Sequence, residues 1–516
     1  MPRRYNRSRS HDRCRAFKDD PSDRDSFCLQ TDPVTSTISR FARSPREVLG
    51  VAAVLLVAVL LGAFTGRSPG LGIALAAALV FGLIVFSDLA VGVCLFLLVT
   101  FLDAVSQNQN LSLTKGAGAV LAGSWLAMLA TRRGARGGGL TAQAPWLVAA
   151  VAGFLAWSAM SAFWSESRAA ADTSTFRYGL DALLIPITFW AIRDRKQVVW
   201  IFGVFVVGTL LSVAWGITHG KTAGGVAAAQ VGRLSGANLE ANVLAALLIV
   251  CALFASALAV VQKRRPLGRG LAVLAACLAL IALFGTFSRG GFVALGVVML
   301  AGCVYAGKSR PAFIALVVGV VLVGAVFLHN TTSTGVQRLT STSTSGRADL
   351  WKIGLRMVKA NPVLGVGSGN YTVAEPHYLL VSAGEIQAVA FIIGDPYPAH
   401  NMYLQVQVEL GVVGLALFLG IIFLSVGAAA KAVKLFSARG DRSMEVLGRT
   451  LVLAIVAFLT ADFFLSDQYD KQLWLLLAMG PVLLAIAQRS ASAAGEGPPA
   501  PSPRPELLPL DPARRG

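Results

Sequence analysis

The sequence predicts an all-α fold: a polytopic transmembrane helix bundle of about 12–14 spans, with one large extracytoplasmic loop of partly helical structure. Three observations lead there. The 516 residues are 55% hydrophobic and only 14% charged, with a mean hydropathy of +0.65, a balance that soluble globular domains do not reach. The apolar residues gather into runs close to the ~20 residues a helix needs to cross a bilayer. The basic residues fall in alternate connections between these runs, as expected when cytoplasmic loops carry the excess of Lys and Arg.

Residues 1–47 hold 11 of the 45 basic residues. Their length and the acidic stretch DDPSDRD (19–25) argue against a cleavable signal peptide and predict a disordered cytoplasmic tail. Residues 48–328 carry spans one to eleven, near 48–64, 69–86, 89–102, 111–131, 145–163, 178–192, 198–218, 238–261, 270–287, 291–306 and 311–328. Residues 329–401 form the large outer loop. Residues 402–488 carry spans twelve to fourteen, near 403–430, 446–465 and 473–488, and the Ala/Pro/Arg-rich 489–516 predicts a second cytoplasmic tail.

With the amino terminus inside, the inner loops hold 17 basic residues. The outer connections hold eight, apart from five in the long loop. Joining the second and third spans would put the Arg-rich leader outside, so the charge pattern requires a split at Ser87 and Asp88. This distribution is a topology signal, and it excludes nucleic acid as the reason for the formal charge of +18. The six cysteines show no metal or disulfide spacing, four of them lying inside apolar runs.

Within the loop, the run Ser341 to Ser345 precedes GRADLWKIGLRMVKANP. There Leu350, Trp351, Leu355 and Val358 recur at helical spacing, and Pro362 stops the run. This predicts a helix lying on the membrane or capping the bundle. The following GVGSGN (365–370) is neither a P-loop nor a GxGxxG after a strand, and predicts a tight turn.

Arginine in or beside a bilayer costs about 2.5–3.5 kcal/mol at a helix centre, so one placed there is a functional candidate. Arg289, in GTFSRGGF, sits between two apolar runs with almost no loop around it, and Ser288, Gly290 and Gly291 allow close approach. A hairpin tip snorkelling to head groups is the alternative. Arg233 lies at the outer end of the eighth span, followed by Glu240 and Asn242, with an Arg233–Glu240 ion pair as its structural alternative. Asn242, one turn into the helix, is expected to face a polar cavity or a neighbouring helix. His400 and Asn401 open the span VQVELGVVGL, with Glu409 deeper. A lone histidine at a span entrance is commonly interfacial, and His377 and His219 lie at the same predicted face.

Topology brings Arg233, Arg289 and His400 to one outer boundary. Arg forks match phosphate oxygens, and a neutral histidine, with a reference pKa of about 6.5, can accept a proton from a hydroxyl. No HExxH, DxD or Cys/His cluster argues for a metal, and no cofactor is expected.

The ordered set RLSGxxxxxN (233–242), FSRGG (287–291), GRxxxWxxGxxMxxxNPxLGVGxGN (346–370) and HNxYLQxxxELGxxG (400–414) resembles the bacterial O-antigen ligase and polymerase superfamily of polytopic lipid-linked glycan transferases. The resemblance covers roughly residues 230–425. It implies a metal-independent inverting glycosyltransferase in the bacterial plasma membrane, with its site on the extracytoplasmic face. The donor would be a polyprenyl diphosphate-linked glycan and the acceptor a glycan, lipid or protein hydroxyl, in cell-surface polysaccharide assembly. The family's diphosphate-binding arginines fall on Arg233 and Arg289, and its proposed base on His400. Arg347 matches a loop arginine of open role, and Asn242, Asn401 and Glu409 are possible supporting residues. The apolar insert 377–394 departs from the pattern and would cover the site or bind acceptor. The alternative from another class is a transporter or flippase of lipid-linked saccharides, which would place polar sites at the midplane and show internal repeats.

Overall fold

The structure, a computed structural model, describes residues 59, 62, 65–66, 69–102, 113–131, 139–219, 233–237, 240–307, 310–330, 346–379 and 397–495. The chain divides into two units, residues 1–77 and 78–516, and every contact below lies within the second. The predicted tail 1–47, nearly all of the first span, the run 341–345, the insert beyond Leu379 and the chain after Gly495 lie outside the described residues.

The described residues form helices and turns with no strand. The helices are α1 (Pro69–Ser87), α2 (Leu89–Thr100), α3 (Leu113–Thr131), α4 (Pro145–Met160), α5 (Arg168–Ala182), α6 (Leu184–Ala191), α7 (Arg195–His219), α8 (Ala241–Val261), α9 (Pro266–Gly285), α10 (Arg289–Tyr305), α11 (Arg310–Asn330), α12 (Arg347–Ala360), α13 (Met402–Ala438), α14 (Arg442–Ala461) and α15 (Lys471–Gly495). Among the described residues, nine helices are long and apolar enough to cross a membrane, and α2 and α10 are shorter apolar helices. The chain is a multi-pass membrane protein.

α8 is apolar all round and is buried along nearly its whole length, which identifies the centre of the bundle. It packs against α7, α9 and α14, while α13 packs against α4, α14 and α15. A second, smaller core lies under the loop. There Leu350, Ile353 and Met357 of α12 meet Tyr371, Ala399, Leu404 and Val408, with Trp351 and Val358 packed against them, so the loop does hold a helix with one buried face, though Leu355 of the predicted spacing turns outward.

Three helices depart most from their predicted bounds. The sixth span extends back to Arg168, capped by the Ser167 side chain. It passes into α6 through Leu183, which keeps helical dihedrals (φ −61°, ψ −22°). Pro186 explains that junction, because its ring meets the carbonyl of Ala182 four residues earlier. α15 runs past Gln488 to Gly495, since its Ala/Ser-rich end favours helix until the prolines that follow. α13 is broken inside. Gly411 has φ 66° and ψ −170°, outside helical space.

The break in α13 is filled by the glycine turn. Val366 and Gly367 N–H donate to the carbonyls of Val408 (2.9 Å) and Glu409 (2.8 Å), and Val412 N–H donates to Pro362 O (3.0 Å). The Trp157 indole donates to Leu410 O (2.8 Å). A bilayer offers no water to open backbone groups, and these bonds supply what the break removes. Gly365 (φ 71°) and Gly411 lie against each other's backbone segments, and a Cβ on Gly365 would strike the Glu409 carbonyl, one on Gly411 the Val363 carbonyl. The expected tight turn is therefore a plug whose N–H groups are engaged by protein.

Candidate active site

The arginine half is built where the segment before α8 meets the α9–α10 turn. Arg233 donates through Nε to Thr286 O (2.8 Å) and through Nη2 to Asn242 Oδ1 (2.8 Å). The same Asn242 oxygen accepts from Ser288 Oγ (2.9 Å). Ser288 also accepts from Gly291 N–H (3.1 Å) and so caps α10. One amide oxygen thus ties Arg233 to the turn presenting Arg289, the first residue of α10. Asn242 faces the α9–α10 turn and Arg233, where a polar cavity or a neighbouring helix was expected. Gly290 and Gly291 let Phe464 and Ala245 pack closely there, so the small residues of FSRGG serve helix approach.

The histidine half is built on the loop core. Trp351 of α12 donates through Nε1 to Ala399 O (3.0 Å), and Asn401 caps α13 by accepting from Leu404 N–H (3.0 Å). Both neighbours of His400 are therefore pinned. His400 itself has φ 47°, a backbone state that costs a non-glycine residue about 1–3 kcal/mol and collects at functional sites. Phe287, just before Ser288, has φ 48° and is the other such residue among those described.

Electrostatics join the halves. Arg347, the first residue of α12, is pulled below its ordinary value by burial, an effect that Glu240 opposes and Arg289 reinforces. Burial pushes the Glu240 carboxyl up, opposed by a hydrogen bond from Asn242 and by Arg347 and Arg233. Burial, and then the charge of Arg347, hold His400 down at about 4. Arg233, Arg289, Arg347, Glu240 and His400 thus share one electrostatic neighbourhood, and the imidazole there is neutral at physiological pH.

The other candidates fall elsewhere. Glu409 is buried, with Oε2 accepting from Gly369 N–H (2.8 Å) and Oε1 from Gln405 Nε2 (3.0 Å); it holds the glycine turn. His377 pairs with Glu166 on the surface (2.9 Å), and His219 stacks on Trp215.

Sequence reasoning passed over DFFLSDQYD (462–470), the connection from α14 to α15. Phe464 packs on Gly290, and Phe463 meets the Trp351 ring edge-on at 5.7 Å. Asp462 and Gln468 are buried. Both carboxylate oxygens of Asp462, both amide atoms of Gln468, Ser466 Oγ and Asp467 Oδ2 have no protein partner. Burial, with Asp470 and Glu240 adding to it, pushes Asp467 well above the usual carboxylate range. The available signal was three aspartates within nine residues at the end of an apolar span.

Residues 274–419 match the family model described as O-antigen ligase. The matched stretch contains Arg289, Arg347, the glycine turn, His400 and Glu409, while Arg233 and Asn242 precede it. No curated protein matches the chain. The family points to a glycosyltransferase-like enzyme, and to ligation or polymerisation of glycans at a membrane. Residues 274–419 of this multi-pass membrane chain, just over a quarter of its length, are thus similar to the O-antigen ligase family.

Proposed function

We propose that the protein transfers a glycan from a polyprenyl diphosphate carrier to an acceptor hydroxyl at the outer face of the bacterial plasma membrane. The observation that carries this reading is the convergence of three arginines and a neutral histidine at one end of the bundle. Arg289 and Arg233 hold the diphosphate, with Arg347 adding charge beside them, and their planar forks match its oxygens. His400 takes the proton of the acceptor hydroxyl. The acceptor oxygen forms a bond to the anomeric carbon from the side opposite the carrier, and the carbon–oxygen bond to the diphosphate breaks. The diphosphate leaves with the bonding electrons, and the anomeric configuration inverts in this single displacement.

Arginine charge serves the leaving group without a metal ion. A bound diphosphate also offsets Arg347, the second cause of His400's low basicity, so donor binding strengthens the base. The orphaned acceptors of Asp462, Asp467 and Gln468 fit the donor hydroxyls of a sugar.

The test is purified protein given a lipid-diphosphate glycan and candidate acceptors, reading free lipid diphosphate and the anomer of the product. Release with inversion is expected. Release that persists unchanged in His400→Ala, Arg233→Ala and Arg289→Ala would sink the site assignment. Movement of donor across vesicles with no release for any acceptor would favour transport.

A further inference from the structure

At the opposite ends of α8, α9 and α14 from the arginine site lies a cavity of about 860 Å³. Six cations line it: Arg195 and Lys196 at the start of α7, Lys263, Arg264 and Arg265 between α8 and α9, and Arg442 at the start of α14. No carboxylate is among its lining residues. The nearest acids in sequence are engaged. Asp194 accepts from Gln197 N–H (2.9 Å), Asp441 from Met444 N–H (3.1 Å), and Glu445 pairs with Arg449 (2.9 Å).

The rest of the wall is apolar, from Val199, Trp200, Val260 and Val261. Trp200 is 45% exposed, and beside the basic turn the α9 residues Leu267, Leu271 and Leu274 turn outward. A topology signal needs basic residues only somewhere in the loops of one face. Here three connections far apart in sequence converge on one concavity lined by both cations and apolar side chains.

We propose that this cavity binds an anionic glycerophospholipid. The phosphodiester head group meets the six cations, and the acyl chains lie along Trp200 and the outward leucines of α9. A free phosphate would satisfy the cations and leave the apolar wall without an occupant. Basic pockets between membrane helices bind anionic head groups in this way.

The experiment extracts the full-length protein from bilayers of equal phosphatidylglycerol and phosphatidylcholine and counts retained lipids by native mass spectrometry. Wild type is expected to keep phosphatidylglycerol preferentially. The triple variant Lys263→Gln, Arg264→Gln, Arg265→Gln should keep several-fold less. The control pair Lys431→Gln, Lys434→Gln, exposed on α13 and outside the cavity, should match wild type. If the triple variant does not fold, Lys196→Gln with Arg442→Gln tests two other walls of the same cavity. Equal retention by wild type and cavity variants overturns the proposal, as does equal loss in the control pair, which would mean diffuse charge attraction. Displacement of the lipid by millimolar glycerol phosphate, with the same thermal stabilisation, would make the ligand a free phosphate and overturn the lipid assignment.

Discussion

The two helix entrances of the candidate site share one construction and differ in what supports them. At α10, Phe287 takes a positive φ, Ser288 caps the helix, and the charged residue follows as Arg289. At α13, His400 takes the positive φ itself and Asn401 caps after it. The arginine entrance is tied to α8 at the centre of the bundle through Asn242. The histidine entrance rests on the small loop core through Trp351 and Ala399. On the function proposed above, the diphosphate side of the site rests on the centre of the bundle and the base on the loop core.

The sharpest way to break that comparison is to remove each functional group. His400→Ala should lower kcat by about 10²- to 10⁴-fold while the KM for donor changes little. Arg289→Lys, which keeps the charge and loses the fork, should weaken donor binding and kcat/KM together. Steady-state kinetics in both substrates checks this, and near-normal turnover by Arg289→Lys would make that residue a head-group anchor.

A smaller effect is expected from Asn242→Ala, which leaves Arg233 and Ser288 without their shared acceptor. A lost partner to a charged, partly buried donor costs about 1–3 kcal/mol, read here as a roughly 5- to 150-fold rise in donor KM with the acceptor KM unchanged. Cap removal should be smaller still, about 1 kcal/mol each. Ser288→Ala should act on donor binding and Asn401→Ala on kcat, measured side by side with thermal unfolding. A common effect on both parameters would mean that the entrances are not independent.

The comparison also extends to pH dependence. His400 is neutral above its folded value of about 4, so the acid limb of kcat/KM lies well below neutrality. Arg347→Gln removes the second cause of that depression and should move the limb upward, short of the free imidazole value because burial persists. The same depression makes stability fall as pH drops from the unfolded value of about 6.5 toward 4, since the unfolded chain then binds more protons. Thermal unfolding across that window should show the loss, reduced in His400→Ala.

Much of this arrangement was legible before any fold was known. Hydropathy located a helix at each predicted run from the second to the fourteenth, and among the described residues nine of these helices are long and apolar enough to cross a membrane. The helical spacing of Leu350, Trp351 and Val358 located α12. What was hidden depends on contacts between distant residues. VELGVVGL reads as continuous apolar helix, and only the docking of 362–367 shows why Gly411 breaks it. Asn242 could be read as facing something polar, but its double acceptance from Arg233 and Ser288 requires two other segments. The polar 168–177 lacks an apolar period, so tertiary packing, with Ser167 as cap, decides its helix.

The break at Gly411 bears on how the protein is made. At the break, the carbonyls of Val408, Glu409 and Leu410 accept from donors outside their own helix, which lipid cannot replace. Their donors, Val366, Gly367 and Trp157, all precede α13 in the chain. They emerge from synthesis before the acceptors that need them. The segment before α13, together with Trp157 of α4, is thus a template against which that helix completes its backbone hydrogen bonds.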